Sequence, residues 1–181
     1  MRASQNPPTQ SPADRPVGGF PGQWWVAHVR PRQEKALARD VLRSGGGYFL
    51  PMYEVTKRSG PRQWRSLLPL FPGYVFLCGR EEDRLAALKT NRIVKVIDVA
   101  DQARLVAELT AIQRLVRSRT AMDPYRAMAK GRTCRVRRGP LSGLEGHVVR
   151  RKGRLRFVVN VTILGQGAML EIDAEMLEPA E

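Results

Sequence analysis

The chain has 181 residues, 43% of them hydrophobic, and 31 lysines and arginines against 17 aspartates and glutamates give a net charge of +14. This is enough apolar content for one or two small domains with real cores, and no run approaches the roughly 18 consecutive apolar residues of a membrane span. Cys78 and Cys134 have no further cysteine or histidine at metal-ligand spacing, so they read as small buried thiols in a reducing cytoplasm, with no metal or cofactor site.

In chain order, residues 1–22 come first, with Pro7, Pro8, Pro12, Pro16 and Pro21 among Gly18, Gly19 and Gly22. They hold too little apolar content to offset ordering entropy, lack the apolar stretch of a secretory signal, and are expected to form a disordered tail. Residues 24–29 are a predicted strand. Residues 33–44 are a predicted helix whose stripe of Leu37, Ala38, Val41 and Leu42 stops before three glycines. Residues 48–55 form a second strand, and 56–65 a polar loop carrying Lys57, Arg58, Arg62, Trp64 and Arg65.

The run Pro69-Leu70-Phe71-Pro72-Gly73-Tyr74-Val75-Phe76-Leu77 sets two prolines and a glycine inside an aromatic, strand-forming stretch. Proline cannot donate to a ladder, so the spacing predicts a bend over 70–73. A strand follows, with Tyr74 and Phe76 on one face and Val75 and Leu77 on the other. Beyond it, Glu81, Glu82 and Asp83 open a helix with acids at its positive end, 93–99 is a β-branched strand, and Asp101 caps a helix striped by Leu105, Leu109, Ile112 and Val116. The order βαββαβα over residues 23–118 predicts an α+β domain, an antiparallel sheet packed on helices. Residues 119–130 lack a stripe and read as a linker.

From 131 to 181 the texture is short strands and glycines. Leu155, Phe157, Val159, Val161 and Ile163 alternate, as do Ala168, Leu170 and Ile172, predicting a small β-barrel. Its charges separate, because residues 131–156 hold all nine of its basic groups and only Glu145 as an acid. The basic excess of the whole chain points to nucleic acid nearby. Arg150, Arg151, Lys152, Arg154 and Arg156 fit either RNA or a protein partner. No phosphate loop, nucleophile elbow or paired carboxylates are present, and His28 and His147 read as ordinary strand residues, so an enzyme is not expected.

Trp25, Glu34-Lys35, Leu50-Pro51 and the motif 70–76 resemble the N-terminal (NGN) domain of the bacterial transcription elongation factor NusG and its paralogues. Gly131, Val136, Gly139-Pro140-Leu141, Gly143, Leu144-Glu145-Gly146 and Val148, followed by Val161, Leu164 and Gly165, resemble that family's C-terminal SH3-like KOW barrel. The resemblance implies a monomeric, non-enzymatic factor that grips the clamp helices of the largest RNA polymerase subunit and suppresses pausing or modulates termination. On this sequence, that places polymerase binding on Trp25, Phe71, Pro72, Gly73 and Tyr74, with Phe76 in the core and Trp25 either core or floor of the surface. The loop residues Lys57, Arg58, Arg62 and Arg65 are expected to face upstream or nontemplate DNA. Gly139, Pro140, Leu141, Gly143 and Gly146 are expected to contact a barrel partner, a small-subunit ribosomal protein or Rho. The proline-rich tail, the charge and Asn91-Arg92-Ile93 in place of a glycine-led turn suggest a specialised paralogue. The competing reading is a KOW-containing, ribosome-associated RNA-binding protein.

Overall fold

The structure is a computed structural model and describes residues 6–180. It contains two compact units, one ending at Gln102 and the other beginning at Ala103. In chain order the first runs β1 (Gln10–Ser11), β2 (Gln23–Val29), α1 (Glu34–Arg43), β3 (Gly47–Phe49), β4 (Met52–Ser59), β5 (Arg62–Pro69), β6 (Tyr74–Gly79), α2 (Glu81–Leu88) and β7 (Ile93–Asp98). Five of these strands form an antiparallel sheet in the order β1-β3-β6-β2-β7, and β4 and β5 pair with each other in a separate two-stranded sheet.

Alternation sorts the sheet into two faces. Ala27, Val29, Tyr48, Val75 and Leu77 pack with Leu37, Ala38 and Val41 of α1 and Ala87 of α2 in one core. The opposite face carries Trp24, Val26, Phe49 and Phe76, all buried, and Phe76 takes Phe71 edge-on at 6.0 Å. Leu42, the expected fourth member of the α1 stripe, is 40% exposed. In α2, Asp83 Oδ2 accepts the Arg80 amide at 2.8 Å and closes the acidic first turn. The turn after α2 uses Asn91 at φ 57, a left-handed conformation that asparagine tolerates better than most residues. Arg92 beside it is held by Asp40 at 2.6 Å and Gln33 at 2.5 Å.

Three expectations about this unit change. Residues 6–22 do not behave as a disordered tail: β1 pairs with β3, Val17 and Phe20 are buried, and Phe20 stacks on Trp24 at 5.4 Å. Residues 1–5 of the expected tail lie outside the described residues. The strand expected over 48–55 divides at Leu50-Pro51 into β3, in the sheet, and β4, which leaves it. The polar loop expected over 56–65 is a hairpin: eight paired positions join β4 to β5 around a tip at Gly60-Pro61.

The second unit takes most of α3 (Gln102–Arg117), then β8 (Met122–Tyr125), β9 (Arg132–Val136), β10 (Glu145–Arg151), β11 (Arg154–Val161), β12 (Gln166–Glu171) and β13 (Leu177–Pro179). Its strands pair in the order β13-β9-β10-β11-β12-β8, all antiparallel, around buried Val136, Phe157, Val159, Val161, Ala168 and Leu170. A 3-10 turn at Thr162–Leu164 interrupts the alternation, leaving Ile163 half-buried.

The stretch expected as a linker is part of this sheet. β8 pairs with β12, and the Asn160 side chain both accepts from the Ala129 amide, at 3.1 Å, and donates to its carbonyl, at 3.2 Å. The division between units also falls earlier than the boundary at 118 read from the sequence. Glu108 of α3 accepts from the Thr162 amide at 2.9 Å, and Arg114 donates to the Ser142 carbonyl at 2.6 Å. The architecture is an α+β domain followed by a small antiparallel β-barrel, the fold class expected from the sequence.

Candidate functional site

The bend over 71–74 is a β-turn built by its sequence. The Tyr74 amide donates to the Phe71 carbonyl at 3.1 Å, Pro72 holds the second position, and Gly73 sits third at φ 88, the residue pattern of a type II turn. Two further bonds fix it from outside. The Gly73 amide donates to Glu34 Oε1 at 2.7 Å, and the Gly73 carbonyl accepts from the Val29 amide at 2.8 Å. Glu34 is a buried carboxylate, 7% exposed, at the first position of α1, where the helix dipole favours an anion.

This turn sets Tyr74, half-buried, on the sheet face that also carries Phe76 and Val26, at the end marked by exposed Pro72 and Lys95. Tyr74 stands opposite His28 in the β6–β2 ladder, and their rings stack at 5.2 Å with an interplanar angle of 29°. Lys95 pairs with His28 on the next strand, so Tyr74, His28 and Lys95 form a row across three strands, with Pro72 exposed at its end. The row offers one amphipathic phenol, a stacked imidazole and a cation, a surface suited to docking. Among the described residues no group of three or more His, Cys, Asp or Glu could hold a metal ion, and no helix is long and apolar enough to cross a membrane.

Of the five residues expected to dock a partner, Pro72, Gly73 and Tyr74 are together on this surface. Phe71 is not: it is 1% exposed, its ring against Phe76 in the core. Trp25 is 4% exposed and opposite Leu77, so strand parity puts it on the α1/α2 side, away from Tyr74. It is a core residue and not the floor of the surface. Phe76 is fully buried, as expected. His28 and Glu34 were not singled out as site residues. The pairing of β2 with β6 would have found His28 by parity, whereas nothing in the sequence announces the Glu34–Gly73 bond.

The basic residues of the hairpin divide between its two faces. Lys57 stands opposite Trp64, and Ser59 opposite Arg62, so Lys57, Arg62 and Trp64 share one face. Arg58 and Arg65 lie on the other, where Arg65 meets Glu54 at 3.4 Å. Trp64 is 43% exposed. Near the hairpin's base Lys35 donates to the Leu67 carbonyl at 2.5 Å, and burial, then Arg39 and Lys57, pull its pKa below the ordinary lysine value.

In the barrel, Gly139, Pro140 and Gly143 are exposed on the loop joining β9 to β10, where the Gly143 amide returns to the Val136 carbonyl at 2.7 Å. Leu141 and Gly146, expected at the same surface, are buried. A Cβ at Gly146 would lie 2.6 Å from the Phe157 ring, so this glycine is required by core packing and not by a partner.

A family model described as transcription termination factor nusG matches residues 22–124, more than half of the chain. No curated protein matches the sequence. Among solved structures, one on domain interaction in Thermotoga maritima NusG has 18% identity and a TM-score of 0.48, covering 88% of this chain and 97% of that one. The MjSpt4:Spt5 complex in conformation A has 15% identity and a TM-score of 0.27, covering 88% of this chain and 99% of that one. With the family match running from the start of β2 through the turn at 71–74 and on past α3, the chain belongs to the NusG family, and its broad role is that of a transcription elongation factor.

Proposed function

We propose that this chain binds the clamp helices of the largest RNA polymerase subunit through the Pro72–Tyr74 corner and suppresses pausing or modulates termination. The observation that carries the reading is the turn itself. Glu34 and Val29 pin Gly73 from both sides, and of the turn's two aromatics Phe71 is buried while Tyr74 stays partly exposed, stacked on His28. A rigid corner presenting one aromatic loses little entropy on docking, as an interface anchor should.

The exposed hairpin is the part we assign to upstream or nontemplate DNA, and the loop Gly139, Pro140 and Gly143 to a recruited partner, a small-subunit ribosomal protein or Rho. The action is that of a cytoplasmic, non-enzymatic monomer, and a specialised paralogue in view of its charge and its Asn91 turn. A ribosome-associated KOW protein would need no N-terminal domain, whereas the family match lies mainly on that domain.

The test is a pull-down with the isolated clamp-helix fragment. Tyr74→Ala is expected to weaken binding by about 30-fold, from roughly 2 kcal/mol for an interface aromatic, with an unchanged circular dichroism spectrum. Equal binding by wild type and variant, or none by either, overturns the reading.

A further inference from the structure

At one end of the barrel the strands break their own alternation. The core-facing positions are Arg132, Cys134 and Val136 on β9, Gly146, Val148 and Arg150 on β10, and Leu155, Phe157 and Val159 on β11, as the pairings Val148↔Arg132, Val148↔Phe157 and Arg150↔Leu155 require. Most of these are buried, yet the two terminal positions, which the pattern reserves for apolar residues, hold exposed arginines. Inward-facing charges often protect sheet edges, but β9 and β10 are both paired on each side and have no edge to protect.

Three of the four arginines on the other face of this sheet are matched to acids, and the fourth, Arg151, meets the Met169 sulfur. Arg135 pairs with Glu145 at 2.6 Å, and Arg154 and Arg156 with Glu171 at 3.4 and 2.5 Å. Arg132 and Arg150 have no ion pair among the described residues. They flank a cleft of about 390 Å³ walled by Val148, Leu155 and Leu177. Glu178, also at its rim, is already held by Arg137 at 3.7 Å.

We propose that this cleft is a docking site for an acidic protein segment with one aliphatic anchor, the anchor entering between Val148, Leu155 and Leu177 and its flanking carboxylates meeting Arg132 and Arg150. The volume takes one or two side chains, and two guanidiniums that no acid among the described residues engages are complementary to carboxylates on either side of the anchor. The walls are aliphatic, with no aromatic face on which a base could stack, so a peptide fits better than single-stranded nucleic acid. The site lies at the opposite end of the β9–β10 hairpin from the glycine-containing loop, and it does not depend on the polymerase reading.

The test uses the full chain, ¹⁵N-labelled, titrated with an amidated acidic peptide bearing one central leucine, the same peptide with serine for leucine, and a short oligouridine. Saturable shifts at Val148, Leu155 and Leu177, loss of binding for the serine peptide, and a weakening of about tenfold in Arg150→Glu support the proposal. If Arg150→Glu does not keep the native spectrum, Arg132→Gln carries the same comparison. No saturable shifts, equal affinity for the serine peptide, shifts confined to residues 139–144, or tighter binding of the oligouridine would each overturn it.

Discussion

Glu34 shows how one buried charge shapes the candidate surface. Its carboxylate is nearly without solvent and accepts the amide of Gly73, an amide the turn itself leaves unpaired. Removing the acceptor strands a donor in a dry site, which costs about 1–3 kcal/mol, whereas an isosteric amide keeps an acceptor in place. Glu34→Ala is therefore expected to lower unfolding free energy in urea by about 2 kcal/mol and to weaken clamp-helix binding, with Glu34→Gln keeping most of both. Equal losses for the two variants would show that the charge, and not the hydrogen bond, sets the corner.

At the scale of elements, the hairpin β4–β5 turns a basic run into two unlike faces. Lys57 and Arg62 flank an exposed tryptophan, while Arg65 on the reverse face is engaged by Glu54. If DNA lies along the tryptophan face, Lys57→Gln with Arg62→Gln should reduce the salt slope of DNA-containing complexes by about 2, and Arg58→Gln with Arg65→Gln by clearly less. Equal reductions in a salt titration would show that no face is preferred. This hairpin was not legible in the sequence because both its faces meet solvent, so its strands lack the apolar alternation that marked β2, β6 and β11. Where one face is buried, parity was informative enough to set Tyr74 and Phe76 against Val75 and Leu77. The same parity, applied to Trp25 and Leu77, separates Trp25 from Tyr74.

Across the whole chain, composition misled most at the N-terminus, because ordering depends on a few anchors and not on average hydropathy. In residues 6–22 those anchors are Val17 and Phe20, with backbone carbonyls doing the rest: Pro8 accepts from the Tyr48 hydroxyl at 2.8 Å, Thr9 from the Leu50 amide at 2.7 Å, and Pro21 from the Cys78 thiol at 3.6 Å. Burial pushes the Tyr48 phenol up to about 12, and burial followed by the Asp83 charge pushes the Cys78 thiol up to about 12. Deleting residues 1–22 uncovers these groups and loses two buried side chains worth about 1.5–3 kcal/mol each. The truncated chain should therefore unfold at lower urea and expose Cys78 to thiol reagents at pH 8. The phenol supplies a second readout with a definite sign. In the intact chain the folded state keeps the Tyr48 proton up to about pH 12 while the unfolded state releases it near the ordinary value of 10, so stability falls as pH rises between them. Truncation should return Tyr48 toward the ordinary value and flatten that fall, with tyrosinate absorbance losing its late step. An unchanged late step and a silent Cys78 in the truncated chain would mean that the sheet, without the N-terminal segment, is what dries this edge.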